Sequence, residues 1–180
     1  MSCYGSKDLA RSFRTVRANT IQIAEEIPED KYSFRPAEGT RTVAETLAHI
    51  ATTTQWPEAL HAPRLGAVTF ELFMGSMQKA TAAAAALTTK AQILDALKTE
   101  GEKFAAFLES FPDEALAEHV NYPAGMQPPS KSRFEMLLSA KEHEMHHRAQ
   151  LMVVERMLGI TPHLTRHMQE RMAQVQAQKA

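Results

Sequence analysis

Between Glu142 and His147 the chain reads Glu-His-Glu-Met-His-His, three imidazoles and two carboxylates within six residues. On an α-helix, residues four apart stand one above the other on a single face, so His143 and His147 can turn their ring nitrogens toward one divalent ion. The same letters satisfy His-Glu-x-x-His, the zinc-peptidase helix in which the intervening glutamate activates a water on the metal. Two chemistries compete: peptide hydrolysis with Glu144 as base, or a metal centre whose other ligands and substrate come from elsewhere in the fold.

A helical wheel separates the histidines. With His143 at zero and about 100° per residue, Met136, Ala140, His147, Leu151, Val154 and Leu158 fall within about 80° on one side. His143 and His147 therefore share the inward stripe. His146 lies about 100° from His147, beside Val153 and Met157, and is not expected to be a ligand. Glu144 reads as a charge on the outer side of the helix. A lone inward histidine is ordinarily bonded to a carbonyl or carboxylate, since an unpartnered buried imidazole is unfavourable; an inward pair four residues apart is better explained by metal.

The peptidase reading lacks its other parts. At the positions where the longer motif needs Gly and a third His the chain has Gln150 and Val153. Glu155 or Glu170 would have to serve as third ligand, and no segment offers a strand along which a peptide could extend. A different third ligand is His49, in "TVAETLAHIATTTQW". There Val43, Leu47, Ile50 and Thr54 form the apolar stripe, while His49 projects with Thr42, Glu45, Thr46 and Thr53; periodicity alone leaves open whether that flank faces a metal pocket. His163 and His167 are also four apart, but both fall beside the Leu164, Met168, Met172, Val175 stripe and read as surface residues. His61 and His119 lie in loop-like segments, where a solvated or hydrogen-bonded ring is expected.

The elements that must position these residues are helical. Leu9, Phe13, Val16, Thr20, Ile23 and Ile27 recur at three and four over Ser6 to Ile27, and Pro28 ends that helix. Thr42-Val-Ala-Glu45 has the capping-box pattern and opens a second helix running to about Trp56, with only Glu45 charged, as expected of a helix surrounded by protein. Pro57 to Thr88 is the least legible stretch, and "KATAAAAALTTK" reads as a helical or loosely ordered connector. Ile93, Leu97, Phe104, Leu108 and Phe111 predict a third long helix from Thr89 to Pro112. Ser132-Arg-Phe-Glu135 caps a fourth, ending near Gly159, and Thr161-Pro162 starts a last helix toward Ala180. No segment alternates at period two. The expected fold is all-α, an antiparallel four-helix bundle with an extra C-terminal helix, in one domain over residues 1–180.

Composition narrows the partners. Lys and Arg number 20 against 21 Asp and Glu, so no global positive field favours nucleic acid or acidic membrane. No apolar run is long enough to span a bilayer, no signal-peptide core is visible, and a soluble cytoplasmic protein is expected. Cys3, the one cysteine, cannot make an internal bridge and is assigned no role.

Taken together, "RPAEGTRTVAETLAHIA", the connector-rich middle and "HEMHHRAQLMVVERMLG" resemble the DinB-like family of small helical metal proteins, in the right order and spacing over most of the chain. The resemblance implies a four-helix bundle whose metal is held by one His of the second helix and the outer two of a His-x-x-x-His pair, here His49, His143 and His147. The family's usual Arg-Gly-Gln after the pair is Arg148-Ala149-Gln150. Members include bacillithiol and mycothiol transferases and thiol-dependent isomerases, and homodimers are common among them. Three neutral imidazoles leave a divalent ion its full charge and an open position, the arrangement of a catalytic site, where water or a thiol becomes a usable nucleophile near neutrality. The expected cofactor is zinc, with nickel, iron or manganese as alternatives, together with a low-molecular-weight thiol. The expected reaction is transfer of that thiol to an electrophilic small molecule, or its hydrolysis. The competing reading is a non-catalytic metal-binding stress-response protein, which a closed, filled core would favour over a roomy cavity. Glu45 stands one turn before His49, where it either orients the metal's open ligand or serves only the capping box.

Overall fold

The computed structural model describes residues 4–178; Cys3 lies outside them. Seven α-helices are formed: α1 (Ser6–Glu26), α2 (Val43–Thr52), α3 (Gln55–His61), α4 (Phe70–Ala85), α5 (Lys90–Ser110), α6 (Arg133–Met157) and α7 (His163–Ala177). Capping boxes start α2 at Thr42/Glu45, α5 at Thr89/Gln92 and α6 at Ser132/Glu135, each satisfying amide groups that the first turn leaves without partners. The second helix stops at Thr52, short of the expected Trp56. A new helix then takes Pro57 in its first turn, where the missing N–H costs nothing. The poorly legible stretch contains α4, which buries only Ser76 and Ala80 and therefore carries no apolar period. Two three-residue strands, β1 (His119–Asn121) and β2 (Ser130–Ser132), pair antiparallel with Val120 opposite Lys131. They are too short to leave an alternating signature.

The expected all-α bundle is formed by α1, α2, α5 and α6, with α5 and α6 each packed on α1 and α2. Its interior has two apolar clusters. Ile23, Ile27, Leu47, Ile50, Leu97 and Leu151 belong to one, and Leu9, Phe13, Phe104, Leu108 and Leu137 to the other. Arg17 of α1 is buried as well and bonds to the remaining three helices: Nε and Nη2 donate to the Glu144 carboxylate on α6 at 2.9–3.0 Å, Nη1 to the Leu97 carbonyl on α5 at 2.8 Å, and Nη2 to the Ile50 carbonyl on α2 at 3.3 Å. Gly101 makes room for it, since a Cβ there would stand 2.8 Å from both Cγ and Nη1 of Arg17. Among the described residues, no helix is long and apolar enough to cross a membrane.

Three sequence expectations are corrected here. Glu144 is 2% exposed, not an outer charge. The buried residues of α6 run from Met136 and Val154 through His147, Leu151 and Glu144 to Leu137 and Glu155, an arc from about 20° to about 120° from His143. Glu144 stands well inside that arc, and a wheel anchored on His143 takes the edge of the face for its centre. His61 is fully buried on α3, not in a loop, and of the two expected states it takes the hydrogen-bonded one: its Nδ1 accepts from Arg133 Nη1 at 3.1 Å, and burial, then the Arg133 charge, hold it neutral with a pKa of about 4. His163 is fully buried too, with Nε2 facing Asn19 Oδ1 at 3.2 Å. Helix α7 meets the bundle through its first turn, where Arg166 pairs with Glu26 at 2.7 Å, and the stripe of Met168, Met172 and Val175 is left exposed. His167 is exposed as expected, and exposed His119 shares a 3.0 Å hydrogen bond with Ser130.

Removing one partner of a buried ion pair strands the other charge. Glu144→Ala or Arg17→Ala should each lose about 3–5 kcal/mol of stability in urea unfolding, and the double change Arg17→Met with Glu144→Leu should recover most of it. A loss below about 1 kcal/mol in both single variants would show that the pair contributes little to the fold.

Glu155 provides a pH-dependent test. It is fully buried and both carboxylate oxygens lack a partner. Burial, reinforced by the Glu26 charge, pushes its pKa from the ordinary 4.5 up to about 7. A raised folded pKa means that the folded chain holds a proton the unfolded chain releases, so the stability this group contributes is complete below about pH 4.5 and lost as pH rises through about 7. Glu155→Gln should match the wild-type stability in urea unfolding near pH 4 and exceed it at pH 8, by at most about 3 kcal/mol. An equal difference at both pH values would contradict this origin.

Candidate metal centre

The bundle brings His49, His143 and His147 together. His49 projects from the polar flank of α2 with Glu45, Thr46 and Thr53, because the opposite face of Val43, Leu47 and Ile50 is buried in the apolar cluster. His143 and His147 reach it from α6, one turn apart. The Nε2 atoms of His49 and His147 each lie 3.2 Å from Nε2 of His143, and one ligand atom from each ring falls within 4.8 Å of the others. His146 is exposed and lies outside this group.

Three ring nitrogens converging at this distance have no satisfactory arrangement among themselves, since one N–H can serve only one neighbour. A cation satisfies all three lone pairs. Tetrahedral zinc with Zn–N near 2.0–2.1 Å separates its ligand nitrogens by about 3.3 Å, close to the observed spacing, so the residues fit a divalent ion. The rings are also in the protonation state that binding needs. Burial first, and then nearby positive charge including Arg41, lowers the pKa of His49 and of His143 to about 4 and moves that of His147 in the same direction.

Gln150, to which sequence reasoning assigned no role, stands one turn beyond His146 and His147 and contacts both. Its Oε1 lies 2.9 Å from His147 Nδ1, and its Nε2 lies 3.1 Å from His146 Nε2. An amide oxygen can only accept, so His147 carries its proton on Nδ1 and turns the bare Nε2 toward the cluster.

The remaining candidates are placed elsewhere. Glu144 has its carboxylate committed to Arg17 and cannot act as a peptidase base. Glu155 and Glu170 do not belong to the cluster. Glu45 accepts from the Thr42 amide at 2.7 Å, the capping-box role, and is exposed beside the histidines.

An open cleft of about 1190 Å³ reaches the centre, lined by His49 and His147 on one side and by Met77, Ala80 and Ala84 of α4 on another. A cleft of this size suits a small-molecule ligand.

The comparisons with known proteins agree with this architecture. The family model of the DinB superfamily matches residues 12–151, and the chain belongs to that superfamily. It is 28% identical over 159 residues to the uncharacterised protein YjoA of Bacillus subtilis, covering 87% of this chain and 92% of YjoA. The crystal structure of YjoA, described as DinB-like, superposes with a TM-score of 0.64 over 85% of this chain and 92% of that one. YfiT of Bacillus subtilis, described as a probable metal-dependent hydrolase with an unusual four-helix bundle topology, gives the same TM-score at 15% identity, over 89% and 91% of the two chains, a likeness of fold.

Zinc binding should therefore require His49, His143 and His147. After stringent dialysis, each single Ala variant is expected to lose stoichiometric zinc by mass spectrometry, whereas His146→Ala, His163→Ala and His167→Ala retain it. Gln150→Ala should bind about 10- to 100-fold more weakly through loss of its hold on His147. Full retention of zinc by the His49 variant would remove α2 from the site.

Proposed function

We propose that the protein is a divalent-metal-dependent enzyme that transfers a low-molecular-weight thiol to an electrophilic small molecule. The observation that carries this reading is the open cleft beside a ring of three neutral imidazoles; a purely storage or structural site would be closed over by protein. A divalent ion in the ring supplies Lewis acidity, which makes a thiol or a water more acidic. The chain's own residues do the rest. His49, His143 and His147 hold the ion, Gln150 fixes the tautomer of His147, and the apolar wall of α4 shields the reacting groups from bulk water. The thiol's proton passes to solvent, its sulfur forms a bond to the electrophilic carbon, and the electron pair of the bond broken at that carbon leaves with the departing group or, where a π bond is broken, takes up a proton from solvent.

Hydrolysis is the second reading, favoured by the description of YfiT as a probable metal-dependent hydrolase. Water then replaces the thiol at the same place. Zinc is the proposed ion, with nickel, iron and manganese as alternatives for an all-imidazole site.

Cobalt-substituted protein distinguishes the two. Binding of 2-mercaptoethanol should add a sulfur-to-metal charge-transfer band in the near ultraviolet, with the thiol's apparent pKa falling from its value in free solution toward neutrality. If millimolar thiol leaves the spectrum unchanged while acetate or phosphate perturbs it, hydrolysis replaces transfer as the reaction.

A further inference from the structure

The cleft above the histidines carries a charge that the proposed chemistry leaves unused. Its charged lining residues, apart from histidine, are Arg35, Arg41 and Glu45. Two of these are occupied: Arg35 donates to the Thr40 carbonyl and to Glu45, and Glu45 also closes the capping box of α2. Arg41 is exposed and has no hydrogen bond or ion pair among the described residues. No second carboxylate lines the cleft, so positive charge is in excess there before any metal is counted. The facing surface is small and apolar, built from Met77, Ala80, Ala84 and Leu87 with Leu151 and Val154.

An arginine on an open surface is ordinarily solvated and needs no ligand. This one differs in its setting. It lies on the rim of the cleft that contains His49 and His147, with its guanidinium left uncommitted by the protein. A guanidinium presents a planar fork that matches one carboxylate through two parallel hydrogen bonds. A phosphate dianion ordinarily draws on several donors, and here one cation alone is uncommitted.

We propose that Arg41 is the anion-recognition residue of the cleft, and that the small-molecule substrate is an amphiphilic carboxylate whose apolar body lies on the α4 wall while its carboxylate pairs with Arg41. This deepens the enzyme reading and rests on it. A ligand held in this way lies in the same cleft as His49 and His147.

Phenylbutyrate and its neutral amide, phenylbutyramide, test the inference by calorimetry on zinc-loaded protein. The wild type should bind the carboxylate about tenfold more tightly than the amide. Arg41→Gln should abolish that preference while the amide's affinity stays within about twofold, and zinc content and melting temperature should be unchanged. In metal-free wild-type protein the preference should survive. A preference that persists in Arg41→Gln, or that disappears when zinc is removed, assigns the carboxylate to the metal and overturns the proposal; so does a wild type that fails to bind phenylbutyrate at millimolar concentration. Neither probe contains a thiol, so loss of the thiol mechanism in the cobalt experiment leaves this result separately readable.

Discussion

The buried pair of Arg17 and Glu144 is the constraint around which the four central helices are arranged. Two charges taken out of water cost several kcal/mol each unless their hydrogen bonds are nearly complete, and the bonds Arg17 makes to α2, α5 and α6 supply that completeness. The requirement is geometric as well as energetic. Arg17 reaches its partners only if α5 passes close by, which Gly101 permits, and only if α6 is rotated to put Glu144 inward. That rotation places His143 and His147 on the flank facing α2. A uniformly apolar layer could supply comparable stability, but it would tolerate small rotations of α6 that this pair does not.

The histidine cluster depends on the same rotation and adds an electrostatic condition of its own. An imidazole binds a cation only when neutral, and partial burial lowers the pKa of all three rings, those of His49 and His143 to about 4. The cleft leaves one side of the ring of nitrogens accessible, while α4 covers part of the approach with alanines and a methionine. Burial thus lowers the proton affinity of the ligands without closing the site.

The sequence made the bundle legible because its main helices bury one face each and begin with side-chain caps at Thr42, Thr89 and Ser132. It made the clustering of His143 and His147 legible because two inward imidazoles one turn apart are costly without a shared partner. What it could not reveal is which polar residues are buried with partners distant in sequence. Arg17 and Glu144 are 127 positions apart, and neither is distinguishable locally from a surface charge. The same holds for His163, whose neighbour Asn19 lies 144 positions away. Helix α7 misleads for the opposite reason: its methionine stripe has the period of a buried face, yet only its first turn meets the bundle. Periodicity reports a face that is apolar, and burial depends on what is placed against it.

The adjacent residues His143 and Glu144 therefore carry different tasks on one helix. About 100° of rotation separates them, which directs the imidazole toward α2 and the cleft and the carboxylate toward α1. The His-Glu-x-x-His spelling here is thus a superposition of two relations with separate causes: the histidine pair, one turn apart, joins His49, and the glutamate answers to an arginine on another helix. In a peptidase the glutamate must share the metal's water, so its carboxylate would face the same opening as the imidazoles. In this bundle the carboxylate is fully used on the opposite flank. The motif's letters are the same, and the surroundings of Glu144 decide that its chemistry is structural.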